Sequence, residues 1–170
     1  MPHESRLQRS LRELIEQRRT AALATWSPGE GECEDRAPLV SMVPFAWCAE
    51  YGCIVLHVSA LAVHTQAMEL HPAVSLLFCV PEGEGEGVHA LERVSLQGVA
   101  STPPRESALW NALRACYMRR FPEAEFMGEL PDFRFVCITP SRARHVAGFG
   151  SARDVDGNDF VAAMNVTPQQ

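Results

Sequence analysis

The chain has 170 residues, 46% of them hydrophobic, and a formal net charge of −6. That length suits one domain, here residues 1–170, with a core of useful size. The acidic balance excludes a nucleic-acid binder that works through a basic face, and no apolar stretch is long enough for a membrane span.

The basic residues are all Arg, fifteen in number, with no Lys. Lysine Schiff-base chemistry is therefore excluded, and any phosphate must be held by Arg, His, hydroxyls or backbone N–H groups. The six cysteines are Cys33, Cys48, Cys53, Cys79, Cys116 and Cys137. None forms a CxxC pair, so buried free thiols are expected rather than a disulfide framework or a zinc site. The N-terminal segment is polar and Arg-rich, without the apolar core of a secretory signal, so a cytoplasmic protein is expected.

In chain order, Arg6 to Arg19 carries Leu7, Leu11, Leu14 and Ile15 on one stripe and predicts a surface helix. Thr20 to Trp26 reads as a strand. Ser27 to Ala37 is an acidic, Gly-rich loop. Pro38 to Trp47 and Cys53 to Val58 predict a hairpin. Ser59 follows as a helix N-cap, with the helix over Ala60 to Leu70 stopped by Pro72. Ala73 to Val80 is a strand, and Pro81 to Gly87 a loop whose carboxylates would repel phosphate. Leu91 to Ser101 is a strand, and Arg105 to Phe121 a helix with Leu109, Leu113, Cys116 and Tyr117 on one stripe. Asp132 to Thr139 and Ala143 to Phe149 are the last two strands. Residues 153–170 are polar and expected to fray. The expected fold is mainly β (α+β): a small antiparallel barrel of six to seven strands with helices outside.

One run concentrates polar groups where a strand turns into a helix: His57, then Ser59, His64 and Thr65. A helix N-terminus of this kind suits an anionic ligand group. His64 and His71 lie seven residues apart, which is the wrong spacing for a metal pair on a helix, so no metal site is expected.

Six segments occur in the order of a known family: Ser41-Met-Val-Pro-Phe45, Ser59-Ala-Leu-Ala-Val-His-Thr65, Pro72-Ala-Val-Ser-Leu-Leu-Phe78, Arg93-Val-Ser-Leu-Gln-Gly98, Asp132-Phe133 and Gly148-Phe-Gly150. Together they resemble the FMN-binding split-barrel superfamily that includes pyridoxamine 5′-phosphate oxidase, and within it the haem-utilisation branch. The resemblance implies a split barrel and a homodimer with a small-molecule site at the subunit interface. It implies FMN contacts from the backbone of Ser41 and Val43, from His57 facing the ring, and from Ser59, His64 and Thr65 at the phosphate. Arg93 falls where flavin binders often place Gln, and can hold a phosphate or a propionate. Asp132 matches the acid that, in haem-degrading relatives, pairs with a tail histidine ligating the iron. No histidine follows His145 here, and Ser151 stands where relatives commonly have Arg.

No Ser-His-Asp set or carboxylate pair is recognisable, so a cofactor would have to carry the chemistry. The expectation is an FMN-dependent oxidoreductase of unknown small-molecule substrate. The rivals are a haem-binding or haem-degrading protein of the same superfamily, and a non-catalytic ligand-binding or regulatory module.

Overall fold

A computed structural model describes residues 5–27, 37–85 and 87–166. The loop reading of 28–36, together with Cys33, lies outside the described residues. The order is α1 (Arg6–Gln17), β1 (Thr20–Trp26), β2 (Pro38–Pro44), β3 (Ala46–Cys48), β4 (Cys53–Ser59), α2 (Val63–Leu70), β5 (Ala73–Cys79), β6 (Arg93–Ser101), α3 (Ala108–Arg120), β7 (Phe133–Val146), β8 (Ala152–Asp156) and α4 (Gly157–Met164).

The eight strands form one sheet in the order β2-β1-β5-β6-β7-β4-β3, with β8 added to β7, and every pair is antiparallel. The two ends of that path, β2 and β3, are consecutive in the chain and separated only by Phe45. The sheet must therefore curl until its ends meet, which makes a barrel with its seam at Phe45. That side chain points inward, is 1% exposed and meets Phe78 edge-on at 4.8 Å. Strict alternation fills the interior: Leu23, Val43, Ile54, Leu56, Leu76, Leu96, Val136 and Ile138 form one apolar core.

β4 is buried on both faces. Its second face packs under α3 into a separate cluster with Val55, Leu113, Tyr117, Phe121 and Phe135. Ser107 caps α3 by accepting from the Trp110 N–H.

The structure corrects the sequence reading in four places. The expected hairpin breaks at Phe45: β2 pairs with β1, and only β3 pairs with β4. The last two strands are one, β7, which bends at Pro140–Ser141 where its register with β6 shifts between Gln97 and Gly98. Its first half pairs with β4 and its second half with β8. The third correction is the tail as far as it is described. β8 and α4 run from Ala152 to Met164, and α4 buries Phe160, Ala163 and Met164 in the main core; residues 167–170 lie outside the described residues. The short apolar run is easily missed in a polar segment, yet three buried side chains suffice to anchor an eight-residue helix. α4 is also pinned to the β3–β4 hairpin: the Trp47 indole N–H donates to Asn165 Oδ1 at 3.0 Å, and Asn165 Nδ2 donates to the Ala49 carbonyl. The fourth correction concerns α2, which starts at Val63 with Ala62 as its uncapped N-cap, not at Ser59.

Two glycines permit the bend in β7. A Cβ on Gly98 would lie 2.7 Å from both Ile138 Cγ2 and the Thr139 carbonyl oxygen, and one on Gly157 would lie 2.6 Å from the Pro140 carbonyl oxygen. Neither backbone oxygen can yield without breaking the ladder. Gly98→Ala is therefore expected to destabilise the fold by about 1–3 kcal/mol. Urea unfolding with an unchanged slope and a lowered midpoint checks this; an unshifted midpoint would show that the bend has room to spare.

Candidate functional site

Ser59 ends β4 and stands opposite Phe133 at the start of β7. Its hydroxyl donates to Asp132 Oδ2 at 2.7 Å and accepts from the Leu61 N–H at 3.1 Å. The Ala60 N–H donates to the Asp132 carbonyl at 2.7 Å. Ser59 is thus a turn-forming hydroxyl engaged with a carboxylate, and the turn at 60–62 separates it from α2. Asp132 is held beside the strand end by a side-chain and a backbone bond together.

Thr65 lies in the first turn of α2 and is 1% exposed, yet its Oγ1 has no hydrogen-bond partner. Most buried hydroxyls are satisfied, so this one is an exception at the start of α2. Thr25 on β1, which also packs against α2, carries a second unpartnered buried hydroxyl. His64 is half-buried beside Thr65, and that burial lowers its pKa, favouring the neutral ring.

His57 faces neither a groove nor solvent. It is 6% exposed beneath α3, stacked on Phe135 at 4.3 Å and flanked by Phe133 and Tyr117. Its Nδ1 is unpartnered. Burial, with the Arg114 charge adding to it, pushes its pKa down to about 4. The period of two decides this: with Leu56 and Val58 inside the barrel, His57 must point outward, and α3 covers that side.

Ser41 and Val43 point into the barrel from β2, opposite Leu23 and Ala21, with Val43 fully buried. The outward positions on that strand are Val40 and Met42, 65% and 69% exposed. Sequence reasoning passed over them, although the alternation of β2 carries the signal. The ladder continues them into two rows across the outer face: Met42, Ala22, Leu77, Ser95 and Arg144, and beside it Val40, Ala24, Ser75, Gln97 and Arg142. The face is apolar and exposed at its β2 side and cationic at its β7 side. Arg142 and Arg144 both bond Asp154, at 2.8 and 3.2 Å.

Arg93 lies on this same outer face of β6 and donates to the Leu91 carbonyl at 3.0 Å. It pairs with Cys79 at the far end of β5, whereas α2 leads into Ala73 at the near end. Six residues of strand put Arg93 about 20 Å from the α2 end. Within one chain, Arg93 does not share a site with Ser59 and Thr65. What the fold brings together is Ser59 with Asp132, and His64 with Thr65.

A separate surface cavity of about 480 Å³ is lined by Arg6, Arg9, Ser10, Glu13 and Glu92 among others. Behind its wall, Glu92 Oε1 accepts from Ser10 and lies 2.7 Å from Nε2 of the fully buried His145. It is polar and remote from the Ser59–Asp132 turn.

An antiparallel sheet curled into a barrel with helices outside it is a split barrel. The chain belongs to the pyridoxamine 5′-phosphate oxidase family, whose sequence model matches residues 7–147. It is 33% identical to Heme oxygenase HutZ of Vibrio cholerae over 93% of this chain and 86% of that protein. It is 35% identical to Non-canonical heme oxygenase HOZ, chloroplastic, of Arabidopsis thaliana over 68% of this chain, which spans 33% of that longer protein. Among solved structures, a heme binding protein from Mycobacterium smegmatis superposes with a TM-score of 0.79 and 26% identity, covering 95% of this chain and 62% of that one.

These relatives overturn the expectation of an FMN-dependent oxidoreductase: the curated proteins it matches are named for haem chemistry. The strand–helix junction from Ser59 to Thr65 points to a flavin phosphate, and the absence of a histidine after His145 points away from haem; the relatives outweigh both.

Burial of neutral His57 has a measurable consequence. Between pH 6.5 and about 4 the unfolded chain takes up a proton that the folded chain refuses. Stability from this group is therefore full above pH 6.5 and falls as the pH drops to about 4, by on the order of 3 kcal/mol. His57→Phe keeps the ring stack and removes the titration. Denaturation measured at both pH values should show a smaller acid loss in the variant; equal losses would place the imidazole proton elsewhere.

Proposed function

We propose that the protein binds haem and takes part in haem breakdown, as a cytoplasmic homodimer in which residues 1–170 make one split-barrel domain. The observation that carries this is the 33% identity to a haem oxygenase across 93% of the chain.

The side chains present suit the group. A porphyrin is a broad apolar disc with two carboxylates. The barrel interior is filled, so the disc must lie outside. Val40, Met42 and Leu77 offer exposed apolar surface. Arg142 and Arg144 stand at the other end of the same rows, and Arg fits carboxylates through its paired donors. A second copy of this face would supply the opposite wall and bury the exposed apolar rows.

Iron asks for a neutral imidazole. His57 and His145 are buried in packed surroundings. His64, His71 and His89 are the described imidazoles with access to solvent. Of these, His64 is held towards its neutral form and lies beside the unpartnered Thr65 hydroxyl, so it is the residue assigned to the iron. Asp132, fixed by Ser59, would keep a carboxylate at the edge of the site. Haem itself supplies the redox-active iron and is the material consumed. The protein's part would be to orient it and shield it from water.

Titration of the purified protein with hemin should give a saturable Soret change at one haem per chain, with the band lost on adding ascorbate in air. Binding without loss under ascorbate would support storage in place of breakdown, and no binding at micromolar hemin would refute the reading. His64→Ala should alter the Soret position. Val40→Glu combined with Met42→Glu should sediment as a monomer and bind haem roughly tenfold or more weakly. A double variant that stays dimeric with full affinity would move the groove to another face.

A further inference from the structure

Four cysteines that share no motif in the sequence converge beneath α3. Cys48 on β3 stands directly opposite Cys53 on β4. Val55 stands opposite Cys137 on β7, so Cys53, two residues back on the same face, is the diagonal neighbour of Cys137. Cys116 reaches the cluster from α3. The Cys53 thiol lies against that of Cys137, and the Cys48 thiol against that of Cys116. Cys48, Cys53 and Cys137 are buried and Cys116 is half-buried, and all four are free thiols. Among the described residues, no group of His, Cys, Asp or Glu is arranged to hold a metal ion, so the cluster's available chemistry is that of thiols.

We propose that Cys53 and Cys137 form a reversible dithiol–disulfide couple, oxidised by a small peroxide. The geometry supplies both partners already in contact across two paired strands. Near-complete burial shuts out a bulky disulfide such as oxidised glutathione, so the oxidant proposed is a small neutral peroxide. The partners are unequal. Hydrogen bonding from Cys53, with further bonds from Thr139 and Ser101, holds the Cys137 thiol below its usual range against the opposing effect of burial. The same contact, together with burial, pushes Cys53 well above it. Cys137 is also the more accessible of the two, 5% exposed against 0% for Cys53, so it is assigned as the attacking sulfur and Cys53 as the resolving one.

The chemistry balances. The Cys137 thiolate attacks one peroxide oxygen, the O–O bond breaks, and Cys137 becomes a sulfenic acid while the leaving hydroxide takes a proton to become water. Cys53 sulfur then attacks Cys137 sulfur. The S–S bond forms, the S–OH bond breaks, and a second water leaves with the Cys53 proton. Two thiols lose two electrons, and hydrogen peroxide is reduced to two waters. The product ties β4 to β7, the strands that lead to Ser59 and Asp132. It is a covalent modification separate from haem binding.

The test uses the full chain and a few equivalents of hydrogen peroxide, followed by acid quenching, alkylation in denaturant and non-reducing peptide mapping. Chymotrypsin alongside trypsin separates Cys48 from Cys53 at Tyr51 and Cys53 from Cys79 at Phe78. The expected result is a Cys53–Cys137 linked peptide in most molecules, restored to thiols by dithiothreitol. In Cys53→Ala, Cys137 should instead be trapped by dimedone as a sulfenic acid. Cys53 and Cys137 recovered as alkylated thiols, with oxidation confined to Cys79 and Cys116, would overturn the proposal. The wild-type map decides the question even where the variant folds poorly.

Discussion

The bend in β7 at Pro140–Ser141 is the constraint on which the rest of the structure depends. A straight strand of fourteen residues could follow one partner but could not serve both β4 and β8. The bend divides those tasks, and it exists because two other backbones come against it without a Cβ in the way. Gly98 presses from β6 and Gly157 from the first turn of α4. Bulges of this kind raise local twist and turn a flat sheet into a closing one. Downstream of the bend, α4 returns along the barrel to brace the β3–β4 hairpin through Trp47 and Asn165. Upstream of it, the register with β4 sets Ser59 against Phe133, His57 against Phe135 and Val55 against Cys137. The site turn, the aromatic stack and the thiol pair thus follow from one ladder.

Much of the fold was legible because it rests on periodicity. β1 spans Thr20–Trp26, as its alternation indicated, and α1 buries Leu11, Leu14 and Ile15 from the expected stripe. What failed was information that local sequence does not hold. Phe45 looks like any strand residue until the seam requires a break there. Pro140 and Ser141 look like a turn between strands, whereas a bulge keeps the ladder going through them. The 153–170 segment seemed too polar to pack, but Val155, Phe160, Ala163 and Met164 fall on one side and are enough. The site was legible in part. The pairing of Ser59 with Asp132 needs two residues far apart in sequence to meet, and no spacing rule could give it. His57 shows a related limit: alternation tells which way it points, but only the position of α3 tells what lies there.

A filled barrel restricts where function can reside. Phe45 and Phe78 meet edge-on inside it, within one continuous apolar core. A ligand the size of a porphyrin cannot enter without dismantling that packing, which costs several kcal/mol for even one large side chain. Function must therefore use the outside of the sheet or its ends. The outer face is suited to this because the strand period that fills the interior also sorts the exterior, placing apolar side chains on β2 and β5 and arginines on β7 in the same rows.

That exterior is also incomplete by itself. Val40, Met42 and Leu77 lie open on strands whose other faces turn inward, and the β2 edge presents unpaired backbone groups that edge strands normally guard with charge. Here the guard is Pro38 and Pro44 at either end of the strand, which remove two N–H donors and discourage further strand pairing. The protection blocks growth along the sheet but leaves the apolar face free. A surface closed to edge-to-edge addition and open to face-to-face contact favours a closed pair over a filament. Two such faces brought together would exclude water from the apolar side while leaving the arginines at the rim. That is the environment in which a carboxylate-bearing apolar ligand is held by its rim and kept dry at its centre.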